Sequence, residues 1–131
     1  MSTRWDNEGN LGADPEFKLV RVSGKEDRAL LQCSVYFDNP VPKNEGFEDR
    51  GGFWARVEWW HQNAEQFSAL YKKGMRVHVQ GTLQMEPFED NEGEDRLSIK
   101  VRADRIAILP YRVESVVMGP ARSRQREAEE A

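Results

Sequence analysis

Short stretches of alternating apolar and polar residues dominate this chain, and such alternation is typical of strands that bury one face. The stretches with this pattern are residues 17–22, 31–37, 53–60, 76–85 and 97–108. Most of them are bounded by glycine, proline, asparagine or aspartate, which favour turns. The sequence therefore predicts five strands.

One segment has the spacing of a helix instead. Its apolar residues recur at intervals of three and four, at Phe67, Leu70 and Tyr71. We expect Asn63 to cap the helix together with Gln66 as the partner of a capping box, and Gly74 to end it. The prediction is a short amphipathic helix over residues 64–73.

The connections and the end of the chain are polar. Residues 38–52 predict a long loop of mixed charge, and residues 87–95 predict a hairpin connection with an acidic tip. The apolar parity changes near Asp104, which predicts a β-bulge in the last strand. Apolar periodicity stops at Gly119, so we expect one domain over residues 1–118 and a disordered polar tail over residues 119–131.

Five strands with a helix between the third and the fourth follow the order of a small Greek-key barrel, the oligonucleotide-binding fold. The predicted fold class is therefore all-β, a five-stranded barrel of that type. Alternation alone leaves an SH3-like barrel or another small β-barrel open.

Composition narrows the possible function classes. The chain has 131 residues, of which 38% are hydrophobic and 32% are charged, which predicts one globular domain. No apolar run approaches the roughly 18 residues of a membrane span, and the first residues do not resemble a leader, so we expect a cytoplasmic protein. The net charge of −4 argues against a polyanion ligand without excluding one, because it does not locate the cations.

The chain shows no motif that predicts catalysis. Cys33 alternates with apolar neighbours and is expected to be a core thiol, and His61 and His78 do not complete a zinc site with it. The acidic hairpin resembles a calcium loop, but Phe88 occupies the first ligand position. We expect no enzyme activity, no metal, no cofactor and no small-molecule substrate.

The third predicted strand carries unusual residues on its polar face. Positions 53, 55, 57 and 59 are expected to face the core, which leaves Trp54, Arg56 and Trp60 on the opposite face. A solvated face does not need two tryptophans. Proteins that hold single-stranded nucleic acid without reading its sequence do need flat aromatic faces beside cations. The alternative is that both tryptophans are core or subunit-contact residues.

Four stretches carry a resemblance to a known family, in the order that the family has them. These stretches are residues 9–16 (Gly-Asn-Leu-Gly-Ala-Asp-Pro-Glu), 53–60, 71–83 and 88–96. The first closely resembles the Gly-Asn-Leu-Gly-x-Asp-Pro-Glu run of bacterial single-stranded DNA-binding proteins. Any one stretch could arise by chance, whereas four in order make the resemblance specific.

The resemblance implies an oligonucleotide-binding fold that binds single-stranded DNA during replication, recombination or repair in the bacterial cytoplasm at the nucleoid. It also implies a homo-oligomer, a tetramer or a dimer, with no membrane partner. By position, the residues implied to stack on bases are Trp54, Trp60 and Phe88, with Tyr36 near a further stacking position. Those implied to support the DNA backbone are Arg56, Lys72 and Lys73.

Two departures from the family keep a second hypothesis open. The first strand of the family is apolar, whereas residues 5–8 are largely polar here, and the family's acidic tip with a terminal aromatic is absent. These departures favour a protein-interaction or primosome-type accessory module on the same fold, with weak or no DNA binding. Two of the implied contacts also have plainer interpretations. Phe88 could be an ordinary hairpin aromatic, and Lys72 and Lys73 could be a solvated helix end.

Overall fold

The structure is a computed structural model, which describes residues 3–21, 23–24 and 26–121. The strands in chain order are β1 (Thr3–Leu11), β2 (Glu16–Val20), β3 (Arg28–Phe37), β4 (Pro40–Lys43), β5 (Gly46–Asp49), β6 (Phe53–Trp60), β7 (Arg76–Glu89) and β8 (Asp95–Ile108). The helix α1 (Ala64–Ser68) lies between β6 and β7.

Five strands form a closed ring of pairings, and this confirms the predicted oligonucleotide-binding fold. The ring runs from β1 through β7, β8, β6 and β3 back to β1. Its pairs are antiparallel except β6 with β8, which run parallel. Strand β2 pairs with β3 alone and flanks the ring.

The predicted parity of the core is confirmed along β3 and β6. The buried side chains of this parity are Leu31, Cys33, Val35, Phe37, Ala55 and Val57, while Phe53 and Trp59 are half-buried. Leu30 is an exception, because it is buried at the opposite parity. The Cys33 thiol is 3% exposed, and burial raises its pKa to about 12, so it is a core thiol as expected. Because inward positions alternate with outward ones, this core fixes which β6 side chains face solvent.

The prediction of the first barrel strand is wrong. That strand is β1, and residues 17–22 supply only the flanking β2. The alternation of β1 is hidden in the sequence because Asn7 and Gly9 occupy the same parity as the half-buried Trp5 and the buried Leu11. Charges at the opposite parity pair across to β7. Asp6 contacts His78 at 2.5 Å, and Glu8 contacts Arg76 at 3.0 Å.

The prediction of a loop over residues 38–52 is also wrong, since this region contains the hairpin of β4 and β5. Both strands are short, and Pro40 and Pro42 lie within β4. Prolines argue against a central strand but are compatible with an isolated two-stranded edge, which explains why the sequence pattern misses this hairpin.

The helix is shorter than predicted, and the Asn63 side chain makes no capping hydrogen bond. It ends early because the chain turns to bury Tyr71, whose hydroxyl donates to the Ile106 carbonyl at 2.6 Å. Gly74 follows with a positive φ of 86°, in the turn that leads into β7. The prediction that Gly74 ends the helix is therefore wrong, because Gly74 lies six residues after the last helical residue.

Strands β7 and β8 are longer than predicted and form an arm beyond the barrel. The expected bulge is confirmed, because Gln80 pairs with Arg105 and Gly81 pairs with Ala103. Asp104, between the two, has no opposite residue on β7. The division into a domain and a tail stays a prediction. Residues 119–121 are exposed and belong to no strand, and residues 122–131 lie outside the described residues.

Candidate nucleic-acid interface

The even-numbered residues of β6 form the centre of the candidate site. Ala55 and Val57 point into the core, so the neighbouring positions face outward. These outward residues are Trp54, Arg56, Glu58 and Trp60. Trp54 is 57% exposed, which contradicts the alternative that it is a core residue of this chain.

Trp54 is held in place by β3 and by the loop that follows β1. Tyr36 is its direct partner on β3, and the two ring centroids are 5.3 Å apart at an angle of 56°. A Cβ atom at Gly12 would overlap the Trp54 ring, so this ring lies directly against the Gly12 backbone. The Trp54 ring is therefore pre-oriented between two supports and still open to solvent.

Asp49 connects this aromatic pair to the hairpin of β4 and β5. The Tyr36 hydroxyl donates to Asp49 Oδ2 at 2.6 Å, and Asp49 Oδ1 accepts from the backbone N–H groups of Asn39 and Gly51 at 2.9 and 3.2 Å. The hydrogen bond from Tyr36 holds the pKa of the Asp49 carboxyl below its usual range and raises the pKa of the Tyr36 hydroxyl. Asp49 thus positions the Tyr36 ring.

Removing the Tyr36 hydroxyl is expected to raise the pKa of Asp49. In Tyr36→Phe the largest cause of the depressed pKa is gone, so the Asp49 carboxyl should titrate nearer its ordinary value by carboxyl-carbon NMR. A depressed pKa stabilises the fold at neutral pH, and this contribution is lost as pH falls through it. Asp90 is the control, because its depressed pKa is caused first by Arg96 and should not change. An unchanged Asp49 pKa would contradict the proposed connection.

The other end of β6 forms a cationic groove around Trp60. The Arg28 guanidinium lies over the Trp60 ring, with Cζ 4.9 Å from the ring centroid. The groove has a volume of about 290 Å³ and is lined by Arg28, Glu58, Trp60, Gln84, Lys100 and Arg102. Lys100 is paired with Glu58 at 3.3 Å. A flat ring beside several cations suits a base followed by its phosphate.

Sequence analysis missed Arg28, Lys100 and Arg102. The parallel pairing of β6 with β8 places Lys100 beside Arg56 and Arg102 beside Glu58. Alternation in residues 97–103 predicts that both β8 cations face outward. Only the pairing of these distant strands shows that they share a face with Trp54 and Trp60.

Phe88 lies on the arm, opposite Arg96 and 48% exposed. Its even-numbered position puts it on the same face of the arm as Gln84, which pairs with Lys100. Asp90 at the acidic tip accepts from Arg96 Nε at 2.9 Å and from two backbone N–H groups of the turn. Its charge is therefore partly neutralised, although Phe88 remains among carboxylates.

The structure does not bring Lys72 and Lys73 into the face of β6. Both are exposed in the turn between α1 and β7. The Lys73 backbone N–H donates to Asp14 Oδ1 at 2.8 Å, and Asp14 lines one groove with Trp54. The turn that carries the two lysines therefore contacts the loop after β1, which is the same loop that supports the Trp54 ring.

The distribution of ion pairs explains how a chain of net charge −4 presents cations. Within the described residues, the lysines and arginines that form no ion pair are Arg28, Arg56, Lys72, Lys73, Arg102, Arg105 and Arg112. Three of these arginines lie on or beside the face of β6. Local charge at the site is therefore more favourable to phosphate than net charge suggests.

Neither a metal site nor a membrane-spanning helix is found in the part of the chain that the structure describes. No group of three histidine, cysteine or acidic side chains there is placed to hold a metal ion. No helix in those ranges is long and apolar enough to cross a membrane.

The chain is similar in sequence and in fold to known single-stranded DNA-binding proteins. Single-stranded DNA-binding protein 1 of Xylella fastidiosa is 28% identical over 115 residues, which cover 87% of this chain and 82% of that protein. The fold is similar to the crystal structure of a small single-stranded DNA-binding protein from Streptomyces coelicolor, with a TM-score of 0.71, 19% identity and coverage of 86% of this chain and 98% of the other.

A second structural likeness is to the Plasmodium falciparum SSB complex with ssDNA, with a TM-score of 0.57, 20% identity and coverage of 81% of this chain and 93% of the other. The profile of the Single-strand binding protein family matches residues 8–109. Because that match spans most of the chain, the protein belongs to the single-strand binding protein family.

Proposed function

We propose that this non-enzymatic protein binds single-stranded DNA, without reading its sequence, across one surface that we call the stacking face. The stacking face consists of Tyr36, Trp54, Arg56 and Trp60 on β3 and β6. The observation that carries the proposal is that two outward tryptophans flank Arg56 on one strand of a closed barrel. Within the described residues, Arg56 forms no ion pair. Aromatic faces bind any base, and cations between them follow the phosphates.

The two ends of the stacking face work differently. Trp54 is open and already braced by Tyr36, so a base can stack on it without rearrangement. At the other end Arg28 covers one face of the Trp60 ring. A base that takes this position displaces the guanidinium, which then meets a neighbouring phosphate together with Arg102.

Phe88 extends the stacking face along the arm. It shares the outward side of β7 with Gln84, and Gln84 lies in the Trp60 groove. The carboxylates at the tip repel phosphate, so a base reaches Phe88 only where the backbone passes on the side of Arg96. The arm is therefore proposed as the weaker part of the site.

Titration with oligo-dT tests the proposal. Stacking on Trp54 and Trp60 is expected to quench tryptophan fluorescence. Each cation that neutralises a phosphate contributes about −0.7 to the slope of log K against log salt. Arg28, Arg56 and Arg102, which form no ion pair within the described residues, therefore predict a shallow slope of about −2 for dT of about 4 nucleotides, which is long enough for the stacking face alone. Duplex DNA is the control, since its bases are not free to stack. Absence of quenching at low salt would favour the protein-interaction module instead.

We propose a cellular setting on the basis of family membership. Functions in DNA replication, recombination and repair are typical of the family, as is self-association. We assign the protein to the bacterial cytoplasm and to DNA exposed at the nucleoid. For a homo-oligomer, the exposed apolar side chains of the arm, Met85 and Leu97, are candidate contacts.

A further inference from the structure

A row of outward side chains leads from the stacking face across the barrel. Trp54 pairs with Tyr36, Tyr36 pairs with Asn10, and Asn10 pairs with Arg76, so the row crosses β6, β3, β1 and β7. The Arg76 carbonyl then accepts from the Leu109 N–H at 2.9 Å. The segment after β8 is thereby fixed at the far end of this row.

That segment carries an exposed aromatic beside cations. We define the Tyr111 patch as Lys72, Lys73, Tyr111 and Arg112. These four residues line one groove of about 240 Å³, together with neighbouring backbone around Gly74. Tyr111 is 66% exposed, and the Arg112 guanidinium lies over Gly74, with Nη1 3.6 Å from where a Cβ atom would stand.

Electrostatics distinguishes this patch from the row that leads to it. Arg76 is neutralised by Glu8 at 3.0 Å and Asp38 at 2.8 Å, so it supports the fold and has little charge left for a ligand. By contrast, none of Lys72, Lys73 and Arg112 has an ion-pair partner in the described residues.

Backbone hydrogen bonds also hold the Tyr111 patch against the end of β1. The Gly74 N–H donates to the Leu11 carbonyl at 2.8 Å, and the Leu11 N–H donates to the Met75 carbonyl at 3.0 Å. Arg112 has a positive φ of 68°, which is uncommon for a residue other than glycine and costs conformational energy. The Val113 N–H donates to the Pro110 carbonyl at 3.1 Å and closes the turn that carries Tyr111 and Arg112.

From this geometry we infer that the Tyr111 patch is a second binding site for single-stranded DNA, which holds the strand after it leaves Trp54. One base stacks on Tyr111, and the phosphates beside it contact Lys72, Lys73 and Arg112. The inference rests on the proposed function, because it needs a strand that already occupies the stacking face. It lengthens the bound segment and gives the two lysines a function that the stacking face does not.

Oligonucleotide length separates the two sites. Single-stranded DNA sites on this fold span about 4 to 16 nucleotides. Labelled dT of about 4 nucleotides can fill the stacking face alone, and dT of about 16 nucleotides can reach both sites. Tyr111→Ala is expected to weaken binding of the long oligonucleotide by about five- to tenfold and to leave the short one unchanged, measured by fluorescence anisotropy.

Charge gives an independent measurement. The triple variant Lys72→Gln, Lys73→Gln and Arg112→Gln is expected to make the salt slope of the long oligonucleotide shallower by about 2. Arg105→Gln is the matched control, because Arg105 is also unpaired but lies beside Gln80, away from the row. It should leave affinity and slope unchanged.

The outcomes are distinct. Light-induced crosslinking of a long oligonucleotide that contains 5-bromodeoxyuridine should mark Tyr111. Normal quenching and normal affinity of the Tyr111 and triple variants, with no Tyr111 adduct, would overturn the second site and leave the stacking face intact. No quenching of the wild-type protein by either oligonucleotide would overturn both.

Discussion

Replacing Trp54 with alanine is expected to weaken binding of single-stranded DNA by roughly 1–3 kcal/mol, the usual value of one base stacked on an aromatic side chain. The side chain is 57% exposed and its neighbours stay in place, so the loss should appear in affinity and not in stability. Anisotropy of labelled oligo-dT measures it without relying on the tryptophan signal. Leu19→Ala is the control. Leu19 is 62% exposed on β2, but it does not line the Trp54 groove, whereas its neighbour Lys18 does.

Trp60→Ala extends this test to the other end of β6. Arg56 and Glu58 separate the two tryptophans along the strand, so their contributions should add in the double variant. If Trp54→Ala and Trp60→Ala both bind as the wild-type protein does, the tryptophans serve subunit contacts and the stacking face is wrong. If Trp54→Ala loses affinity for DNA and Trp60→Ala does not, Arg28 stays on the Trp60 ring when DNA binds.

The part of the fold that the sequence predicts is the part with strict alternation. Cys33, Val35 and Val57 are buried as their parity requires, and the parity change at Asp104 marks a real bulge. Strand β1 was not predicted because Asn7 and Gly9 interrupt the apolar positions at its inward parity. Its outward Glu8 finds a partner only on β7, some seventy residues later in the chain. A polar residue in such a strand cannot be told from a loop residue without its partner.

The candidate site divides in the same way. Trp54, Arg56 and Trp60 belong to one strand, so their common face follows from local periodicity. The neighbours Lys100 and Arg102 depend on a parallel pairing between strands about forty residues apart. Asp49 reaches the Tyr36 hydroxyl because it lies on the hairpin of β4 and β5. The sequence does not predict this hairpin because β4 contains two prolines.

Net charge was a poor guide to the ligand for a related reason. Many acidic side chains are paired within the chain, as Glu58 is with Lys100, or lie at the tip of the arm. Within the described residues, the arginines that form no ion pair include three at the candidate site, Arg28, Arg56 and Arg102. A chain of net charge −4 can therefore present a cationic groove, and the salt slope reports this groove and not the net charge.

Gly81→Ala is expected to destabilise the fold by roughly 1–3 kcal/mol or more, as overpacking of a close contact does. Gly81 is buried in β7 at the bulge, where a Cβ atom would overlap the carbonyl oxygen of Arg102 and lie 2.8 Å from the Cα of Ala103. Both obstacles are backbone, so the added methyl group can be accommodated only if β8 moves away from β7. The urea midpoint, followed by circular dichroism, measures the loss.

Gly46→Ala is the matched control, because a Cβ atom there meets nothing within 4 Å and the hairpin lies outside the barrel. The same displacement should also affect DNA binding. Moving the Arg102 carbonyl also moves the Arg102 side chain, which lines the Trp60 groove. We therefore expect Gly81→Ala to weaken DNA binding under conditions where it is still folded. Equal urea midpoints for the two variants would show that β7 and β8 approach less closely at the bulge than this geometry requires.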